Sequence, residues 1–457
     1  MTLVPKVIGL VYLSFSIACC DTENNIPDAP GIPSIATYFG TKGRYEEVNP
    51  YLINDILAVN ETLPLLPSTD CRAVHLTAVI RHGTRYPTTK NVKKMRHFYD
   101  LVLSSASDWM QNVSLSQWEM WYTEDMDGRL ARKGQEDHTH LAQRLAKSFP
   151  TLITEQNLRS GRIKMITSSK HRCVNSTIAF KRGLMTYFNI EGEEFDHEVN
   201  DALMRFFDQC DRFIAEVEKN KNALMEVENF HSTPEMKRVF EKIADRLKVP
   251  YSAITADMAE AAFYFCAYAF AIKSVNSPWC QLFDYADAQV MEYADDLKHY
   301  WKRSYGHEIN SKSSCNLFHD VFTRLDKAAF DHRSGQVSEA VTVQIGHAET
   351  LLPLLTLLGL FKDITPLTAD NFAKQSGRAF RAGRIVPYAG NLVLVLYDCP
   401  EGSRLETRLN EQPLMLPKTD TYFPLLEEVK RHYAELLQGC DQKAECALPH
   451  VRPQTAV

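Results

Sequence analysis

The sequence predicts an α/β core interrupted by an all-helical insertion. Short, continuous apolar runs that read as buried strands occur toward both ends of the chain: Ala73–Ile80 (AVHLTAVI), Ile163–Thr167, Ala340–Ile345 (AVTVQI) and Asn391–Tyr397 (NLVLVLY). Runs of that length suit a sheet covered on both faces. Helical patterns follow strands directly at Cys173–Thr186 and Glu349–Leu360, and Gly134–Ser148 carries Leu141, Leu145 and Ala146 at helical spacing. Strand then helix, repeated, is the α/β pattern. The middle differs, because Asn200–Lys302 is rich in helix formers and holds no glycine. The expected layout is a leader at 1–20, a loose N-terminal arm at 21–33, a core built from 34–190 and 325–447, a helical cap at 191–324 and a tail at 448–457.

Composition narrows the function. Of 457 residues, 45% are hydrophobic and 24% charged, which excludes wholesale disorder. Lys+Arg number 51 and Asp+Glu 57, a net charge of −6, a poor match to the basic face that nucleic-acid binding needs.

The leader has the layout of a secretory signal peptide. Lys6 precedes an apolar run, Val7–Ala18, and Ser16, Ala18, Cys19 and Cys20 supply small residues for cleavage. Twelve residues are too few to span about 30 Å of hydrocarbon. Ala261–Ile272 is also short, and reads as a buried helix rather than a membrane span. Sequons at Asn60, Asn112 and Asn175 fit the same route, giving the expectation of a secreted or cell-surface glycoprotein. The Asn175 sequon falls in a helical pattern, three residues after Arg172, and is expected to go unused.

Of eleven cysteines, nine lie beyond the leader, so an oxidising compartment leaves at least one thiol unpaired. No C-x-x-C pair occurs, and disulfides are expected in place of a metal site. No two glycines are two, four or five positions apart, which removes G-x-G-x-x-G, G-x-S-x-G and the P-loop together.

Three segments carry the chemistry, each at the carboxyl end of an expected strand, where α/β sheets bind ligands. The first is Arg81-His82-Gly83-Thr84-Arg85-Tyr86-Pro87. Guanidinium forks match phosphate oxygens, and a histidine kept neutral between two arginines is suited to attack phosphorus. The second is Thr167–Arg172, where Arg172 adds a third fork. The third is Gly346-His347-Ala348-Glu349, in which His347 can donate to phosphate and Glu349, in the first helical turn, can protonate a leaving alcohol. Two basic islands surround the first two segments: Arg81–Arg96 holds six Lys/Arg and 157–182 holds seven, neither with an acid. A cleft of one sign concentrates an anionic substrate.

Together these segments resemble the histidine acid phosphatases, the branch-two histidine phosphatases. Arg81–Pro87 matches the R-H-G-x-R-x-P motif in full, and His347-Ala348-Glu349 has the H-A-E order typical of multiple inositol polyphosphate phosphatases. Tyr38–Lys42, Ser168–Val174 and Arg384–Asn391 are also similar to that subfamily. The resemblance implies a phosphoglycerate-mutase-like histidine phosphatase core with an inserted helical domain. It implies no cofactor or metal and a small-molecule polyphosphate partner, phytate and lower inositol phosphates, with 2,3-bisphosphoglycerate as a further substrate. His82 becomes the nucleophile, Glu349 the proton donor, and Arg81, Arg85, Arg172 and His347 the phosphate holders. Implied bridges are Cys71–Cys399, Cys266–Cys280 and Cys440–Cys446, with Cys173 left as the thiol and Cys210 and Cys315 open. The chain ends in Gln454–Val457, unlike the ER-retrieval tails of vertebrate relatives, so secretion is expected over ER residence. A broad acid phosphatase and a non-catalytic polyanion-binding glycoprotein are the alternatives. Keeping both His82 and Glu349 disfavours the second, because binding alone needs only the basic residues.

Overall fold

Among the described residues seven strands form one sheet, and its strand order explains where the three segments meet. The structure is a computed structural model that describes residues 31–105, 115, 118–336 and 339–448; the expected leader, Asn112 and nearly all of the tail lie outside the described residues. The strands are β1 (Arg72–Arg81), β2 (Ile163–Thr167), β3 (Glu198–Val199), β4 (Val341–Gly346), β5 (Asn391–Cys399), β6 (Gly402–Leu409) and β7 (Gln412–Pro413). They lie in the order β3-β2-β4-β1-β5-β6-β7. β3, β2, β4 and β1 run parallel, while β5, β6 and β7 each reverse direction. The late strand β4 fills the gap between β1 and β2, which aligns Arg81 with Gly346 and Thr167 with Ile345.

The helices of ten or more described residues are α1 (Thr89–Ser105), α2 (Arg132–Ser148), α3 (His171–Phe188), α4 (Pro234–Leu247), α5 (Ala256–Lys273), α6 (Tyr285–Arg303), α7 (Cys315–Arg333) and α8 (Ala348–Leu357). Their ends follow local chemistry. Thr233 caps α4 through Met236 N with Pro234 at the first position, and Thr255 caps α5 through Met258 N. Asp284 and Asp287 cap each other's backbone at the start of α6.

Alternate side chains of the sheet enter two separate apolar layers, as a pleated strand requires. Leu76, Ala78 and Ile80 of β1 and Val393 and Val395 of β5 pack with Leu141 and Leu145 of α2 and Phe180 and Leu184 of α3. Val79 of β1 and Leu392, Leu394 and Leu396 of β5 face the other way, into a larger cluster with α5, α6, α7 and α8. Both faces are covered, which is why the strands read as unbroken apolar runs. The described residues from 201 to 333 are helical or irregular, and α5 is buried along nearly its whole length. The expected cap boundaries cut across this arrangement: 191–324 takes in β3, which pairs with β2, and divides α7. No described helix is long and apolar enough to cross a membrane.

Four disulfides are present among the described residues. Cys71–Cys399 joins the start of β1 to the end of β5, and Cys266–Cys280 closes a short loop after α5. The expected Cys440–Cys446 bridge does not form. Asp441 caps a helix over Gln442–Cys446, Cys446 pairs with Cys210, and Cys440 reaches Cys315 at the start of α7. Cys173 is free and buried.

Candidate active site

The site lies at the carboxyl edge of β1, β4 and β2. His82 N donates to Gly346 O at 2.9 Å, Ser168 N donates to Ile345 O at 3.1 Å, and Arg81 N donates to Gly390 O at 2.8 Å. These backbone bonds extend the sheet by one residue and bring the three sequence segments into one pocket.

His82 is 3% exposed. Its Nδ1 donates to Gly83 O at 2.9 Å, which leaves Nε2 unprotonated and free to act as a nucleophile. Burial, with Arg172, Arg81, His347 and Arg85 around it, holds the imidazole well below its ordinary pKa. The loop beyond it depends on two glycines in contact. A Cβ on Gly83 would stand 2.2 Å from Gly134 O, and one on Gly134 would stand 2.1 Å from Thr84 O. That approach lets Asp137 of α2 accept from Thr84 N at 2.9 Å and Thr84 Oγ1 at 2.7 Å, while Lys133 bridges Asp137 and Glu46. His138 Nε2 donates to Arg81 O at 3.1 Å.

Three guanidinium groups surround His82. Arg81 Nη1 donates to Thr41 O at 2.8 Å and Val386 O at 2.6 Å, and its plane covers Tyr388 at 4.5 Å. Arg85 Nη1 donates to Tyr86 O at 2.8 Å, and Arg172 Nη2 reaches His347 Nδ1 at 3.3 Å. The left-handed turn at Gly128 runs close to both, since a Cβ there would be 3.9 Å from Arg85 Nη1 and from Arg172 Nη1. In all three arginines Nε is buried and has no hydrogen-bond partner. Buried N–H groups without partners are rare and costly, and three on cations make a site for an oxyanion.

His347 faces His82 edge-on, with 5.6 Å between ring centroids. Because Arg172 donates to its Nδ1, Nε2 carries the proton and donates to Ser168 Oγ at 2.9 Å. Burial and Arg172 lower its pKa to about 3, so it is neutral. Both of its ring nitrogens are therefore engaged within the protein, and it reaches an anion only by exchanging one of these partners. Cys173 Sγ lies 3.5 Å from His347 Nε2 and 3.2 Å from Gly346 O, and burial pushes its thiol up to about 12. Glu349 occupies the first turn of α8. Burial alone would raise its pKa, but Arg303, His347 and Arg172 outweigh that and hold the carboxyl well below the usual range.

Thus His82, Arg81, Arg85, Arg172, His347 and Glu349 surround one site. Sequence reasoning missed Ser168, Asp137, His138, Tyr388 and Arg303. Ser168 and Tyr388 lie inside stretches singled out above, yet nothing in their type marked a role. Arg303 packs over Phe207 and Phe213, and Phe207 in turn meets His347 at 6.2 Å. No group of three or more metal-binding side chains occurs among the described residues.

A site of this kind, a neutral histidine under an arginine clamp at the edge of a mixed sheet, is that of a phosphoryl-transfer enzyme. The model of the histidine phosphatase superfamily (branch 2) matches residues 74–414, and the chain belongs to that family. It is 46% identical over 468 residues to multiple inositol polyphosphate phosphatase 1 of Homo sapiens, covering 97% of this chain and 95% of that protein. It is 46% identical over 428 residues to the Gallus gallus protein of the same name, covering 92% and 94%. Among solved structures, the phytase from D. castellii superimposes with a TM-score of 0.72 at 16% identity, covering 90% of this chain and 87% of that one. The Bifidobacterium longum multiple inositol polyphosphate phosphatase in complex with inositol hexasulfate gives 0.68 at 14% identity, covering 86% and 97%.

Proposed function

We propose that this protein hydrolyses phosphate monoesters of inositol polyphosphates, phytate and lower, through a phosphohistidine. The observation that carries the reading is the set of three buried, unpartnered guanidinium Nε groups around a histidine whose Nε2 is free. The 46% identity to two multiple inositol polyphosphate phosphatases gives the substrate class.

In the first step the His82 Nε2 lone pair attacks phosphorus, the ester P–O bond breaks, and the leaving oxygen takes the Glu349 proton. In the second, water attacks the phosphohistidine, the P–N bond breaks, and Glu349 takes the water proton. Arg81, Arg85 and Arg172 balance the charge on the transferring oxygens in both steps. A phosphate dianion among these cations offsets the field that depresses Glu349, so the carboxyl gains its proton together with the substrate. His347 would join the clamp by turning from Arg172 or Ser168 toward a phosphate oxygen. The two basic islands of the sequence, 81–96 and 157–182, suit a substrate bearing several phosphates.

We read 201–333 as one helical insert into the core. We also place the protein in the secretory pathway, outside the cell or at its surface. Four disulfides and the leader pattern support this. Of the sequons, Asn60 is tied into the fold, its Nδ2 donating to Gln412 Oε1 at 2.9 Å, whereas Asn175 is exposed on α3.

The test is phosphate release from phytate, with a simple monoester alongside and EDTA present, for wild type and His82→Ala. Faster release from phytate by wild type alone is expected. Equal rates on both substrates would replace the inositol reading by a broad acid phosphatase, and no release from folded protein would end the phosphatase reading.

A further inference from the structure

Two stretches noted in the sequence take no part in the chemistry above: Tyr38–Lys42 and the segment around Arg384–Asn391. They converge on a single atom. Arg81 Nη1 donates to one backbone carbonyl from each, Thr41 O and Val386 O. Neither carbonyl lies on the sheet, so each must be held by something else.

Both are held by consecutive acids of α6. Asp295 Oδ2 accepts from Thr41 N at 2.9 Å and from Thr41 Oγ1 at 3.1 Å, and Asp295 Oδ1 takes Lys42 Nζ at 3.1 Å. The contact needs Gly40, which has φ +53°, because a Cβ there would stand 2.4 Å from Asp295 Oδ2. The next residue, Asp296, is fully buried and holds the other segment. Its Oδ1 accepts from Ala382 N at 2.7 Å, and its Oδ2 takes Arg378 Nε at 2.8 Å and Nη2 at 2.5 Å. Val386 N then closes onto Ala382 O at 2.9 Å. Glu292, one turn earlier, binds Arg378 and Arg381 through Oε2 at 2.9 and 2.7 Å. The two segments also touch each other, since a Cβ on Gly383 would meet Gly40 O at 2.7 Å.

We propose that Asp295 and Asp296 are positioning residues, which set the angle of the Arg81 guanidinium through Thr41 and Val386 and so set its grip on phosphate. This rests on the phosphatase reading, in which Arg81 holds the transferring group. With Nη1 pinned by two carbonyls and the plane seated on Tyr388, Arg81 has little freedom to turn, and its unpartnered Nε is aimed by that restraint. A guanidinium so fixed pays less ordering entropy when the oxyanion arrives.

The experiment is a calorimetric titration with inorganic phosphate, run beside kcat and KM on phytate, for Asp295→Ala, Asp295→Asn and Arg81→Ala alone and in pairs. Asp295→Ala is expected to weaken phosphate binding and lower kcat/KM on the order of tenfold to hundredfold. Asp295→Asn, which still accepts from Thr41, should recover most of that loss. In the Arg81→Ala background, Asp295→Ala should cost nothing further, because it acts through Arg81. If Asp295→Ala does not fold, Asp295→Glu, one methylene longer, displaces Thr41 and carries the same expectation. Wild-type phosphate affinity in either folded variant, or an equal loss with and without Arg81, would overturn the proposal. The titration reads Arg81 without turnover, so a wild type that binds phosphate but leaves phytate intact would count against the phosphatase reading alone.

Discussion

Nδ1 of His82 lies 2.9 Å from the carbonyl oxygen of Gly83, the residue that follows it. A carbonyl only accepts, so Nδ1 carries the hydrogen and Nε2 is the free base. Burial first, and then four cationic or polarisable neighbours, keep the ring neutral. His82→Ala should therefore lower phosphate release from phytate by on the order of 10⁴-fold or more, with the fold retained. The wild-type kcat/KM should show no loss of activity on the acid side with the ordinary histidine pKa near 6.5, because the folded ring charges only at much lower pH. A pH–rate profile that falls through 6.5, and does so from a histidine, would remove His82 from the role of nucleophile.

Glu349 is ionised in the free site, held so chiefly against burial by Arg303, His347 and Arg172. Its proton matters in proportion to how poor the leaving group is. Glu349→Gln should slow hydrolysis of an inositol phosphate roughly 10²- to 10³-fold and that of a nitrophenyl ester far less. Equal losses on the two substrates, measured as kcat, would assign the proton to another group.

The Gly83–Gly134 contact places α2 directly beside the loop that follows His82. A methyl at Gly83 would need to displace backbone at 2.2 Å, with no flexible side chain to yield. Gly83→Ala should cost about 3 kcal/mol of stability or more and shift Thr84 from Asp137. Chemical unfolding together with a phosphate titration measures both; wild-type values for both would show that the loop absorbs the methyl elsewhere.

The parts of this molecule that were legible in the sequence share one property: they are made of side chains whose type changes with their environment. β1, β2, β4 and β5 are apolar on both faces because helices cover both, and their runs stood out. β6 did not, since Arg404, Glu406 and Arg408 interrupt its apolar residues; in the fold Glu406 is buried and binds Arg408 at 2.6 Å and Tyr397 at 2.8 Å. Helix α1 was hidden by its lysines and arginines, although Val92, Met95, Phe98 and Val102 form its buried stripe. The six residues that meet at the site, His82, Arg81, Arg85, Arg172, His347 and Glu349, were legible because three short segments carry unusual chemistry. Thr41 and Val386 were not, because they act through backbone carbonyls that every residue has. The bridges of Cys440 and Cys446 depend on where a short capped helix points each thiol, which spacing does not encode.

Those two bridges tie the C-terminal segment to the helical region. Non-reducing peptide mapping should recover Cys210 linked to Cys446 and Cys315 linked to Cys440, and no peptide joining Cys440 to Cys446. Removing Cys315 and Cys440 together should cost about 2–5 kcal/mol, since the bridge closes a loop with a separation of 125 residues. A recovered Cys440–Cys446 peptide would refute the pairing.

His138 links the site to the acid stability of the fold. It is fully buried, and its Nε2–H supports Arg81 O. Burial lowers its pKa from 6.5 to about 4, against smaller upward pulls from Asp137 and the Arg81 carbonyl. Between those two values the unfolded chain binds a proton that the folded chain does not. Stability from this group is thus complete above pH 6.5 and drains away as pH falls toward 4. The full loss is on the order of 3 kcal/mol, with roughly 2 kcal/mol of it gone by about pH 5. His138→Gln keeps a donor for Arg81 O but does not titrate. Denaturant unfolding with disulfides intact should therefore show the variant closing on wild type by roughly 2 kcal/mol between about pH 7 and 5. Parallel curves for the two proteins would mean that His138 titrates normally in the fold, and that its hydrogen bond to Arg81 does not hold it neutral.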